Sequence, residues 1–141
     1  LQQAAGEGRP LQLVLRRLRQ HVKDDQAAIA GADAATRAFM LADFHVCLAE
    51  SLGHTLLAEM LRDLTARTTL VATLYQSTHD AKQSCTEHAA IVAAIARNDL
   101  VEAAELMCEH IGSVERALGQ AAVVDPRDRL QAALSGLARP A

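Results

Sequence analysis

The stretch Asp33-Ala34-Ala35-Thr36-Arg37-Ala38-Phe39-Met40-Leu41-Ala42-Asp43-Phe44-His45-Val46-Cys47-Leu48-Ala49-Glu50-Ser51-Leu52-Gly53 decides the fold. Ala38, Leu41, Ala42, His45, Leu48, Ala49 and Leu52 recur at steps of three and four, which lines one face of an α-helix, and Phe39 and Val46 widen the stripe. Asp33 is placed to cap the first turn and Gly53 to end the last.

Upstream, Leu11, Val14, Leu15, Leu18, Val22 and Ile29 predict an amphipathic helix stopped near Gly31, with Arg16, Arg17, Arg19, Lys23 and Asp24 on its other faces. Downstream, Leu57, Leu61, Leu64, Thr68, Val71 and Tyr75 predict a third helix starting at about Thr55. The polar stretch Gln76 to Gln83 reads as a loop. Ser84-Cys85-Thr86-Glu87 has the form of a capping box, so a fourth helix is expected to begin there and to carry His88, Ile91, Val92, Ile95 and Ala96 as far as Asn98. Asp99 with Glu102 repeats the cap for a fifth helix through Leu100, Ala104, Met107, Ile111, Val114 and Leu118. Asp125-Pro126 opens a short sixth, ending near Leu137. The expectation is an all-α antiparallel bundle of about six helices, forming a single domain over 1–141.

Composition points the same way. A chain of 141 residues suits one core, and 29 Ala and 20 Leu against one Tyr and two Phe favour helix over strand. Fourteen Lys and Arg are outnumbered by seventeen Asp and Glu, so the footprint for gripping phosphate is missing and no DNA binding by this chain alone is expected. Three cysteines make no disulfide framework and favour a reducing, cytoplasmic setting. No apolar run is long enough to span a membrane, and no secretion signal opens the chain. The sequence begins at Leu1 rather than Met, which suggests a piece of a longer protein. A Gly-rich phosphate loop, a CxxC pair and an HExxH pattern are all absent.

His45, His88 and His110 fall on the apolar stripes of three different helices, whereas His21, His54 and His79 fall on polar faces, at helix starts or in loops. Three converging neutral imidazoles can share a divalent metal, each through an acceptor nitrogen; otherwise each is a core histidine with its own local hydrogen bond. Cys47, two positions from His45, and Cys108, two from His110, should face away from those rings. Cys85 shares a face with His88.

Three further runs carry a resemblance: Asp43-Phe44-His45-x-x-Leu48-Ala49-Glu50-x-x-Gly53; Glu87-His88-x-x-Ile91-x-x-Ala94-Ile95-x-x-x-Asp99-x-x-x-Ala103; and Met107-x-x-His110-Ile111. In this order and separation they resemble the FCD domain, the helical effector-binding part of GntR-family transcriptional regulators of the FadR type. The run Ala66-Arg67-Thr68-Thr69-Leu70 followed by Leu74-Tyr75 is similar to one branch of these regulators.

The resemblance implies a bundle that binds a small organic acid or similar metabolite, often beside a divalent metal such as zinc or nickel, and works as a homodimer. It implies a winged helix-turn-helix DNA-binding domain preceding this segment and absent from it. Its metal ligands are an Asp four before the first His, that His, and the His of each later run. His45, His88 and His110 match, but Leu41 stands at the Asp position. The expected centre is therefore three histidines completed by water or an effector carboxylate, with Asp43 as a surface or outer carboxylate. Arg67, Thr68, Tyr75, Ser84 and Cys85 are the expected effector contacts, with Ser113 another neighbour on the face of His110. The alternatives are a small metal-dependent hydrolase or oxygenase with a three-His site, for which no general base is evident, and a plain dimerisation module.

Overall fold

The computed structural model describes residues 11–75 and 78–122. Among these residues it is all helical: α1 (Leu11–Gly31), α2 (Ala34–Ser51), α3 (Thr55–Tyr75), α4 (Thr78–Ala96) and α5 (Leu100–Ala122). The expected sixth helix, Pro126 to Leu137, lies outside the described residues, so the bundle is described with five helices instead of six.

The connections are as short as the caps demand. Asp33 accepts the Thr36 backbone N–H at 2.8 Å and opens α2. Gly53 takes φ +81° while its N–H reaches the Glu50 carbonyl and the His54 N–H reaches that of Ala49, a Schellman closure. Asn98 does the same at φ 59°, with its own N–H to Ile95 and the Asp99 N–H to Ala94. Asp99 then caps α5 by accepting the Glu102 N–H at 3.0 Å. These tight turns lay α1 and α2, α2 and α3, and α4 and α5 side by side, and α1 also packs on α4.

The main core joins four helices: Val14, Leu15, Leu18 and Val22 from α1, Phe44 and Cys47 from α2, Ile91, Val92, Ala94 and Ile95 from α4, and Ala103 from α5. Leu41, Ala81 and Cys85 form a second apolar cluster, joined by Ile29. Val46, Ala49 and Ala58 form a third, joined by Leu61.

Three local expectations need correction. The stretch 76–83 is not all loop, since α4 begins at Thr78. Ser84 and Glu87 are therefore inside α4 and form no capping box, because the buried stripe Ala81, Ser84, Cys85, His88 gives the helix packing N-terminal to Ser84. Helix α3 is also rotated from the expected stripe: Ala58 is buried and Leu61 half-buried, while Leu57, Leu64 and Thr68 are exposed. The Val71 and Tyr75 side chains lie outside what is described.

Candidate metal centre

His45 on α2, His88 on α4 and His110 on α5 sit one turn or more inside their helices, on the faces turned to the main core. Their ligand atoms lie within 4.8 Å of one another. His88 Nε2 is 3.2 Å from His110 Nε2, which is 3.3 Å from His45 Nε2. Phe44 stacks on the His88 ring at 3.9 Å between centroids, fixing its plane.

The other ring nitrogens settle the protonation pattern. His88 Nδ1 lies 3.2 Å from Asp25 Oδ2 and His110 Nδ1 lies 2.7 Å from Glu87 Oε2. A carboxylate only accepts, so each Nδ1 carries the hydrogen and, in a neutral ring, each Nε2 is a bare lone pair. Two such lone pairs facing each other at 3.2 Å repel unless a positive charge lies between them. A proton is disfavoured there: burial, then the neighbouring His88 and His110, push the His45 pKa down to about 3, and burial lowers that of His88. A divalent cation fits. Tetrahedral zinc with Zn–N bonds of roughly 2.0 to 2.1 Å holds its ligand nitrogens about 3.3 Å apart, close to the 3.2 and 3.3 Å of the two Nε2 pairs that meet at His110.

A scan of family profiles matches the FCD domain over residues 2–113. The chain belongs to the FCD family. FCD domains are the effector-binding C-terminal domains of GntR-family regulators and are not enzymes, which sets aside the hydrolase and oxygenase alternative. No curated protein and no solved structure matches the chain.

In this FCD domain Leu41, at the position of the family's aspartate, is buried against Ala81, Cys85 and Ile29. An apolar cluster thus stands where a fourth protein ligand would be. Cys85 belongs to that cluster, and its thiol, like that of Cys47, has its pKa pushed up by burial, which suits a small hydrophobe better than a nucleophile. Asp43 does not reach the three histidines; its Oδ2 lies 3.2 Å from His21 Nε2.

The remaining expected contacts divide. Ser84 is buried and lines, with Glu87 and Ser113, a cavity of ≈ 40 Å³ between α3, α4 and α5. Arg67 and Thr68 are exposed: Arg67 Nε pairs with Asp63 at 3.1 Å and the Thr68 hydroxyl donates to the Leu64 carbonyl at 3.0 Å, so neither is brought to the histidines by its contacts. Tyr75 ends α3, with its side chain outside the description.

Sequence reading missed three residues. His21, expected on a polar face, is buried, and Asp25, overlooked altogether, is fully buried. Their signal was present: Val14, Leu18, His21 and Asp25 follow steps of four, three and four along one face of α1. Glu87 was assigned to a helix cap and instead serves His110.

Proposed function

We propose that this FCD domain is the metabolite-sensing part of a GntR-family regulator of the FadR type, with His45, His88 and His110 holding a divalent metal, zinc or nickel. The observation that carries this reading is the convergence of three Nε2 atoms, two of them stripped of hydrogen by carboxylates at Nδ1. When bound, the metal supplies a Lewis-acidic anchor for an anionic oxygen.

The chain's own residues do the rest. With Leu41 at the fourth position the protein supplies three ligands, one short of a closed tetrahedral shell, so water or the carboxylate of a small organic acid completes it. Ser84, Glu87 and Ser113 line the small cavity, whose ≈ 40 Å³ suits water. A groove of ≈ 470 Å³ lined by Glu87, His110, Ser113 and Arg116 offers an acid its approach. Arg116 replaces Arg67 as the cation at that approach, its guanidinium donating to Ser113 Oγ at 3.1 Å.

An effector that binds two arrangements of the domain unequally shifts their populations, and in a homodimer this resets the spacing of winged helix-turn-helix domains outside this chain. The cytoplasm is the compartment proposed for such a regulator. Native mass spectrometry with metal analysis tests the reading. About one zinc or nickel per chain is expected, lost in His45→Ala, His88→Ala and His110→Ala and kept in His54→Ala. Wild-type protein that stays metal-free in excess zinc and nickel refutes it.

A further inference from the structure

Asp25 is the least exposed carboxylate among the described residues, at 0%. An ionised carboxylate is tolerated at such depth only if it is paired. Asp25 has two imidazoles: His88 Nδ1 lies 3.2 Å from Oδ2, and His21 Nδ1 lies 3.4 Å from Oδ1. The far nitrogen of His21, Nε2, is 3.2 Å from Asp43 Oδ2, at the rim of a groove lined by Arg16, Gln20 and Asp24. His21 Nδ1 and Asp25 Oδ1 approach without hydrogen-bond geometry, so their contact is one of charge, and flanked by Asp25 and Asp43 the imidazolium is the favoured form of His21. The chain from surface to centre thus reads Asp43, His21, Asp25, His88.

Its charges add up simply. His21 and Asp43 cancel, Asp25 remains with one negative charge against His88, and Glu87 brings a second against His110. A divalent cation on three neutral imidazoles is then balanced by two carboxylates one residue further out, although Leu41 supplies none inside the shell.

We propose that Asp25, clamped by His21, is the positioning residue of the metal centre: it holds His88 in the tautomer whose Nε2 faces His45 and His110 and supplies from outside the shell the charge that position 41 lacks. This rests on the metal reading above. Carboxylates that orient ligating histidines commonly change metal affinity by about 10- to 100-fold when removed. Asp43, one link further out, acts only through His21.

The test is zinc affinity of the full chain, measured by chelator competition, with ¹⁵N-histidine NMR to read tautomers. Asp25→Asn is expected to weaken zinc by about 10- to 100-fold. His21→Gln should weaken it less, and should add nothing in the Asp25→Asn background. A merely structural role would not produce that dependence. Should Asp25→Asn fail to fold, the wild type still decides: zinc-loaded His88 must carry its hydrogen on Nδ1 and coordinate through Nε2, and His21→Gln must weaken zinc. Wild type that binds zinc while Asp25→Asn binds it equally, or whose His88 coordinates through Nδ1, overturns this proposal alone. Wild type that takes up no zinc overturns it together with the metal reading.

Discussion

Packed beside His88 and His110, His45 carries its charge at a heavy penalty, and burial leads the causes that bring its pKa down to about 3. In the unfolded chain the value returns to about 6.5, so the unfolded state takes up protons first as pH falls. The contribution of neutral His45 is complete above pH 6.5 and is lost progressively from there toward pH 3, an effect on the order of a few kcal/mol. His88, lowered mainly by burial, works in the same direction. His21 has the opposite sign. Burial by itself would lower its pKa, but Asp25 and Asp43 together raise it, so its contribution is complete below about pH 6.5 and fades as pH rises through the raised value. Calorimetry of metal-stripped protein should show a thermal midpoint that peaks near neutrality and drops between about pH 6.5 and 4. His45→Leu should flatten that acid limb; an unchanged limb would show that His45 is not the buried base described. Metal competes with the same protons, so release should begin only below about pH 6.5. The three converging histidines were legible because a histidine on an apolar stripe breaks the pattern around it. Asp25 and His21 were not, because charged and polar side chains on α1 read as solvated until a partner from α4 is known.

Helix positions were legible where a cap or a closing turn is written locally, as at Asp33, Gly53 and Asp99. They were misread where tertiary packing overrides the local signal. Ser84-x-x-Glu87 matches a capping box in composition, but Ala81 is fully buried and draws the helix start back to Thr78, leaving Glu87 free to meet His110 across the α4–α5 seam. In α3 the apolar residues exceed what one face can bury, so periodicity did not say which face turns inward. The two readings of α4 differ in a measurable way. A serine at an N-cap costs about 1 kcal/mol on replacement by alanine, whereas a mid-helix serine gains slightly from alanine's higher helix propensity. Ser84→Ala should therefore leave urea-unfolding stability unchanged or slightly raised. A loss of about 1 kcal/mol or more, the size of a lost cap, would move the helix start back to Ser84.

At the scale of the molecule, none of the described side chains of α3 joins the main core. Among the described α3 side chains those packed in an apolar cluster are Ala58 and half-buried Leu61, and Leu56, Met60 and Leu64 are 71%, 62% and 56% exposed. These three recur every four residues, so they form one apolar stripe on a helix that carries none of the three histidines. A two-fold axis across such a stripe brings it against itself, which is the simplest form of the homodimer proposed for this domain. Burying a Leu or Met side chain contributes about 1.5 to 3 kcal/mol, so three from each copy supply about 9 to 18 kcal/mol against an association cost of about 4 to 15 kcal/mol, and the stripe is of the size that offsets that cost. Sedimentation equilibrium at tens of micromolar should thus give the mass of two chains. Met60→Glu places a charge in the centre of the stripe and should give the mass of one chain while zinc uptake persists, because the three histidines proposed to hold the metal lie on α2, α4 and α5. A wild type of single-chain mass would refute the homodimer. A Met60→Glu variant that remains dimeric would move the interface off α3, and one that dimerises normally but loses zinc would tie this helix to the metal centre instead.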